Sequence, residues 1–253
     1  DYYHLTSQLR NGSVLEWRQL IKERWRNKKL IVCRDQFDRI RGLQKKMLAY
    51  ERFLIENPEY IEKVVLIQIC IGKSSDPEYE RQIMVVVDRI NSLSSNISIS
   101  QPVVFLHQDL DFAQYLALNC EADVFLVDAL REGMNLTCHE FIVSSFEKNA
   151  PLLLSEFTGS SSVLKEGAIL INPWDINHVA QSIKRSLEMS PEEKRRRWKK
   201  LFESVIEHDS DNWITKCFEY INNAWESNQE TSTVFNLAPE KFCADYKASK
   251  KHL

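Results

Sequence analysis

Six short stretches of the chain are almost continuously apolar: KLIVC (29–33), KVVLIQICI (63–71), VVFLH (103–107), ADVFLV (122–127), APLLLSE (150–156) and AILINP (168–173). They are rich in Val, Ile and Leu and lack regular polar alternation, which is how strands buried on both faces of a parallel sheet read. Between them the apolar residues recur at intervals of three and four. Residues 44–56 gather Met47, Leu48, Tyr50, Phe53 and Leu54 on one side, and 78–93 carry Ile83, Val86, Val87 and Ile90. Shorter helices are expected over 111–122 and 137–147, and another over 176–189 with Asp175 as its N-cap. Strand alternating with helix predicts βαβ units. The fold class is therefore α/β, a Rossmann-like doubly wound parallel sheet of about six strands.

The flanks are patterned differently. Residues 14–25 read as a helix with Leu15, Trp17, Leu20 and Ile21 toward the core, whereas 1–12 show no clear period. After Met189, Ser190-Pro191-Glu192-Glu193 is a strong helix start, with a capping Ser, a Pro at the first helical position and acids behind it. The basic run KRRRWKK (194–200) sits among Glu192, Glu193 and Glu203, and Trp198, Leu201 and Val205 form a stripe through it, so it reads as a solvated helix face. Another helix is expected over 213–227, then a loop over 228–238, a short helix restarting at Pro239 and a polar tail over 247–253. The organisation expected is a leading segment and helix (1–28), the Rossmann-like domain (29–190), helices packing on that domain (191–227), and a loop, short helix and tail (228–253).

Composition removes several classes. The 253 residues carry a formal net charge of −3, which offers no electrostatic footprint for nucleic acid. No apolar run reaches the roughly 18 residues of a membrane span, and the first thirty residues contain no signal-peptide hydrophobic region. The six cysteines form no CxxC pair, and Cys33 and Cys70 lie within apolar runs, where thiols behave as small buried hydrophobes. Reduced thiols and a cytoplasmic location are expected. No His/Cys/Asp cluster has metal-ligand spacing, so no metal is expected. His107, His139, His178 and His208 show no arrangement that makes any of them a catalytic group, and no catalytic side chain is assigned. The tryptophans at 174, 198, 213 and 225 are read as packing residues.

Only 6 glycines occur, and Gly42, Gly72, Gly133 and Gly159 each follow a strand-like run. They therefore fall at the carboxyl edge of the sheet, where ligands bind in open α/β folds. Glycine there serves either a tight turn or close approach of backbone N–H groups to a phosphate. The loop after the first strand, CRDQFDRIRG (33–42), is not GxGxxG, and there is no Walker A segment. The most informative stretch is LREGMNLTCHEF (130–141): Gly133 turns the chain, Asn135 and Thr137 are placed to cap the next helix, and Glu140 falls near that helix's positive end. A carboxylate there suits a ribose diol.

The segment LREGMNL…EF resembles the LRDGMNL–EF segment of the donor-binding domain of the trehalose-6-phosphate synthases, retaining glycosyltransferases built from two Rossmann-like domains. LAYERFLIENPEYIEKVVLIQI (48–69), LLLSEFTGSS (152–161) and ILINPWDINHVAQSI (169–183) resemble the same domain in the same order. The resemblance covers residues 29 to about 225. It implies the C-terminal half of a GT-B fold, continuing upstream into the acceptor domain and downstream into a phosphatase-like domain. It also implies a crevice for UDP or UDP-glucose lined by Arg41, Gly42, Glu132, Gly133, Met134, Asn135, Leu136 and Glu140.

Departures from the family pattern bear on activity. The family segment DRLDYIKG clamps the donor diphosphate through its Arg and Lys, and here those positions are Gln36 and Arg41. After the second strand only Lys73, beside Ser74, offers a cation near the family's next Arg. Glu132 replaces an Asp with one methylene fewer, and Ala129 a common Ser. Charge-assisted hydrogen bonds contribute roughly 1.5–3 kcal/mol each, so losing two weakens donor binding by about two decades or more at about 1.4 kcal/mol per decade. The erosion resembles that of the large non-catalytic subunits of fungal trehalose synthase complexes. The implied role is a regulatory or scaffolding subunit with a degenerate, at most weak, UDP-glucose site and no cofactor, hetero-oligomeric with catalytic synthase and phosphatase subunits. The phosphatase-bearing subunit carries a similarly decayed domain, and both assignments stay open. The alternative is the donor-binding domain of an active UDP-glucose-dependent synthase; an unrelated nucleotide-binding domain is the third. Gln36→Arg is expected to raise UDP affinity about tenfold or more by isothermal titration; a flat result would mean that the diphosphate position is misassigned.

Overall fold

The computed structural model describes residues 2–72, 76–95, 101–230 and 238–249, with backbone only at 229 and 230. All six apolar runs form strands: β1 (Lys29–Gln36), β2 (Val64–Ile71), β3 (Val103–His107), β4 (Val124–Val127), β5 (Leu152–Ser155) and β6 (Ile169–Ile171). They pair parallel throughout in the order β3-β2-β1-β4-β5-β6. The order reverses between β1 and β4, the topological switch point at which open sheets of this kind open a crevice.

Helices cover both faces. One face buries Leu30 and Val32 of β1 and Val65, Ile67 and Ile69 of β2 under α1 (Tyr2–Gln8), α2 (Gly12–Arg24), α5 (Phe112–Glu121), α6 (Leu136–Ser144) and α9 (Pro191–Glu207). The other buries the alternate residues, Ile31 and Cys33 of β1 and Val64, Leu66 and Cys70 of β2, under α3 (Leu43–Glu56), α4 (Pro77–Asn91) and α8 (Ile176–Leu187). A one-turn α7 (Ser161–Leu164) follows β5. Asp175 caps α8 as expected, accepting from the His178 N–H at 2.9 Å. Ser190 accepts from Glu193 N–H at the start of α9. Leu201 and Val205 are buried, and Trp198 Nε1 donates to the Ile142 carbonyl at 2.8 Å. The fit of α9 is close: a Cβ at Gly167 would lie 2.6 Å from the Arg197 carbonyl.

Three expectations need correction. Residues 2–8 are helical, because Leu5 and Leu9 reach the first core face. In α2 the core is met by Val14 and Ile21, one heptad apart, while Leu15, Trp17 and Leu20 are exposed; α2 lies along α5 and buries only a narrow seam. Of the four tryptophans read as packing, only Trp198 packs; Trp174, under the Lys45 ammonium, and Trp213 and Trp225 are more than half exposed.

The chain divides into two compact units, residues 1–207 and 208–253. The second contains α10 (Ser210–Glu230) and α11 (Pro239–Ala248). The helix expected over 213–227 lies within α10, and Pro239 opens α11 as its position implied. Most of the loop expected over 228–238 lies outside the described residues. No helix among the described residues is long and apolar enough to cross a membrane.

The second core face contains a lysine with no exposed surface. Lys46 of α3 donates from Nζ to Asp35 Oδ2 at 2.5 Å and to Gln68 Oε1 at 3.1 Å, and Gln68 Nε2 donates to the same Asp35 oxygen at 2.9 Å. Burial pushes the ammonium toward neutrality, but Asp35, with smaller help from Cys33 and Asp128, more than offsets it and leaves the pKa raised. Removing one member of a buried pair strands the other charge. Lys46→Met is therefore expected to cost roughly 3–5 kcal/mol in urea unfolding; a loss below about 1 kcal/mol would show that Asp35 needs no partner.

Candidate functional site at the switch point

Two loops meet where the strand order reverses. The loop after β1 is short because Asp38 caps a single 3-10 turn (Arg39–Arg41), accepting from the Ile40 N–H at 3.1 Å. The turn ends at Gly42 with φ +72°, a left-handed conformation that a side chain resists. A Cβ at Gly42 would stand 2.3 Å from the Asp128 carbonyl oxygen. Gly42 thus serves the close approach of the loops after β1 and β4, and the Leu130 N–H donates to the Ile40 carbonyl at 2.8 Å across the same junction.

The LREGMNL loop is tied on its other side to the loop after β5. Glu132 N–H donates to the Phe157 carbonyl at 3.2 Å, and Gly159 N–H is shared by the carbonyls of Glu132 (3.1 Å) and Gly133 (2.8 Å). Asn135 is buried and caps α6 through the Cys138 N–H at 3.0 Å, while its own N–H donates to Ser160 Oγ at 2.8 Å. Thr137 does not cap; its hydroxyl donates to Asn135 Oδ1. Gly133, Met134 and Leu136 are exposed, with Met134 62% and Leu136 60% accessible.

Two of the charged residues named from the sequence, Arg41 and Glu132, are paired with one another. Arg41 Nη1 donates to Glu132 Oε1, and Asn135 Nδ2 donates to Glu132 Oε2 at 2.8 Å. Glu140, on the first turn and a half of α6, accepts from the Tyr115 hydroxyl at 2.9 Å and lies 3.9 Å from Arg34 Nη1. Arg34 in turn lies 4.4 Å over the Tyr115 ring. Burial, and secondarily the Glu140 charge, raise the pKa of Tyr115, so it is a firm donor at any ordinary pH. Gln36 is exposed at the carboxyl end of β1. Lys73 and Ser74 lie outside the described residues. Sequence reading had passed over Arg34, Tyr115 and Asp128. Of the histidines, His107 contacts the Gly72 carbonyl at 2.8 Å and stacks on Phe37. Among the described residues no three His, Cys, Asp or Glu side chains converge as metal ligands.

Asp128, directly after β4, is fully buried, and neither carboxylate oxygen has a hydrogen-bond partner among the described residues. Burial pushes its carboxyl up to about 7; Lys46 and Lys45 pull it back and Asp35 adds to the rise. Nearby, burial also pushes the Cys33 thiol up to about 12, so it is inert at neutral pH.

Comparison with known proteins places this geometry. The sequence model described as glycosyltransferase family 20 matches residues 1–223. The chain is 65% identical over its whole length to the trehalose synthase complex regulatory subunit TSL1 of Saccharomyces cerevisiae, of which it covers 23%. Among solved structures, the N-terminal domain of Candida albicans trehalose-6-phosphate phosphatase superposes with a TM-score of 0.83 at 37% identity, over 88% of this chain and 48% of that one. An E. coli trehalose-6-phosphate structure bound with UDP-2-fluoro glucose superposes with a TM-score of 0.78 at 27% identity, over 87% of this chain and 49% of that one. The chain spans about a quarter of the length of the curated relatives it matches first and about half of the solved chains.

A carboxyl with a raised folded pKa holds its proton on folding. It therefore weighs against the folded state increasingly as pH climbs from the ordinary carboxylate range to about 7, and by a constant amount above that. Asp128→Asn is expected to gain on the parent by roughly 1–3 kcal/mol more at pH 8 than at pH 5 in urea unfolding, the pH comparison cancelling any packing change. Equal differences at the two pH values would mean that Asp128 is ionised throughout.

Proposed function

We propose, for a chain that belongs to glycosyltransferase family 20, that it is the donor-side domain of a regulatory and scaffolding subunit of a trehalose synthase complex. In this reading the UDP-glucose crevice persists as architecture and has lost its function as a catalytic site. The subunit assembles in the cytoplasm with catalytic trehalose-6-phosphate synthase and phosphatase subunits as a hetero-oligomer. It needs no metal or cofactor.

The observation that carries the reading is the state of the crevice cations. Transfer from a nucleotide sugar develops negative charge on a leaving diphosphate, and its stabilisation requires free, preorganised donors there. Here Gln36 supplies no charge and Arg41 is neutralised by Glu132. The 65% identity to a subunit named as regulatory supports the same reading. What remains intact is structural: the Gly42–Asp128 approach, the Asn135 cap and the tie between the LREGMNL and β5 loops. Those features support a fold kept for its surfaces.

The alternative, a working donor site, draws on the 27% identity to a structure holding UDP-2-fluoro glucose and on the placement of Glu140 at the start of α6. The two separate in a transfer assay. The full-length protein, incubated with UDP-glucose and glucose 6-phosphate, is expected to release no UDP above background and to co-elute with the catalytic synthase subunit in size-exclusion chromatography. Turnover by the isolated protein, abolished by Arg41→Ala, would establish the alternative instead.

A further inference from the structure

The loop after β1 has two arginines, and each already holds an acid of this chain. Arg39 is taken by Asp76, at 2.6 Å, on the solvent side. Arg41 faces the switch point, and its guanidinium is taken by Glu132. Both oxygens of that carboxylate are used, one by Arg41 and the other by Asn135. The pair is largely withdrawn from water, with 19% of the Arg41 side chain and 11% of the Glu132 side chain accessible. Glu132 is held there by its own backbone, which bridges to Thr158 and bonds Phe157 and Gly159 independently of the side chain.

Glu132 takes one donor of Arg41, Nη1, and counters its charge, while Arg41 Nε is buried with no hydrogen-bond partner among the described residues. An incoming diphosphate must either displace the carboxylate, leaving it semi-buried and unpaired, or share the cation with it at like-charge repulsion; both are costly where water is partly excluded. The Glu132 carboxylate, one methylene further from the backbone than an aspartate's, reaches Arg41 of the β1 loop. We propose that Glu132 sets the ligand specificity of the crevice: it acts as a tethered internal anion on Arg41 and excludes nucleoside diphosphates. The proposal rests on the reading of the crevice as a degenerate donor site and assigns its loss of diphosphate affinity to a residue the chain gained, in addition to the cation missing at Gln36.

Glu132→Gln keeps the shape and removes the charge: its one amide oxygen can still accept from Asn135 Nδ2, while its NH2 turns a donor toward Arg41 and ends that pairing. In titrations of the 253-residue chain, Glu132→Gln is expected to bind UDP at least about tenfold more tightly than the parent, the scale of one charge-assisted hydrogen bond. The gain should be absent for uridine, which has no phosphate, and should disappear when Arg41→Ala is added. Glu132→Asp, shorter by one methylene, should give part of the gain and serves if the Gln variant does not fold. UDP affinity equal to the parent in a folded variant, or no detectable binding by either, overturns the proposal; so does an equal gain for uridine, which would report a loosened loop. Tight UDP binding by the parent chain would instead contradict the proposed function.

Discussion

Lys46 reaches from α3 beneath the carboxyl ends of β1 and β2, where its side chain has no exposed surface and its ammonium pairs with Asp35. Much of the crevice hangs from that contact. Asp35 is the penultimate residue of β1, so fixing it fixes where the strand releases the loop that carries Arg39, Arg41 and Gly42. Gly42 then lets that loop lie against the backbone of Asp128, which begins the loop carrying Glu132. Asp128 brings a second carboxyl within electrostatic reach of the same lysine, without a hydrogen bond of its own. One cation thus serves two acids, and the second keeps its proton toward neutral pH.

The sheet was legible because each strand is built on a short, almost continuously apolar run. The caps at Asp175 and Ser190 were legible because side-chain capping is local. The face of α2 was not, since four apolar residues close in sequence left its orientation to be set by α5. The Lys46 network had a visible sign: a lysine on the Leu43–Met47–Tyr50–Phe53–Leu54 stripe and a glutamine inside the β2 run. Periodicity sorts such residues as exterior, and only the fold brings Asp35 to meet them. The site residues came mainly from a family resemblance, which named Arg41 and Glu132 separately. That they neutralise one another, 91 positions apart, is a property of three dimensions.

Under the proposed function, the framework and the chemistry of this crevice have separated. Positions that shape the loops keep the geometry expected of a nucleotide-sugar fold, and the superposition on structures from the synthase family follows from them. Positions that would meet a diphosphate differ: a neutral Gln36 and a paired Arg41. Glu140 shows the same inward turn, since its carboxylate is satisfied by Tyr115 and Arg34 within the chain.

The most direct test of the account is isothermal titration of UDP-glucose into the 253-residue chain at modest salt. A crevice whose cations are absent or internally neutralised predicts no detectable heat up to millimolar donor. Saturable one-to-one binding in the micromolar range would contradict it, because it would require Arg41 to be available to the diphosphate with Glu132 in place.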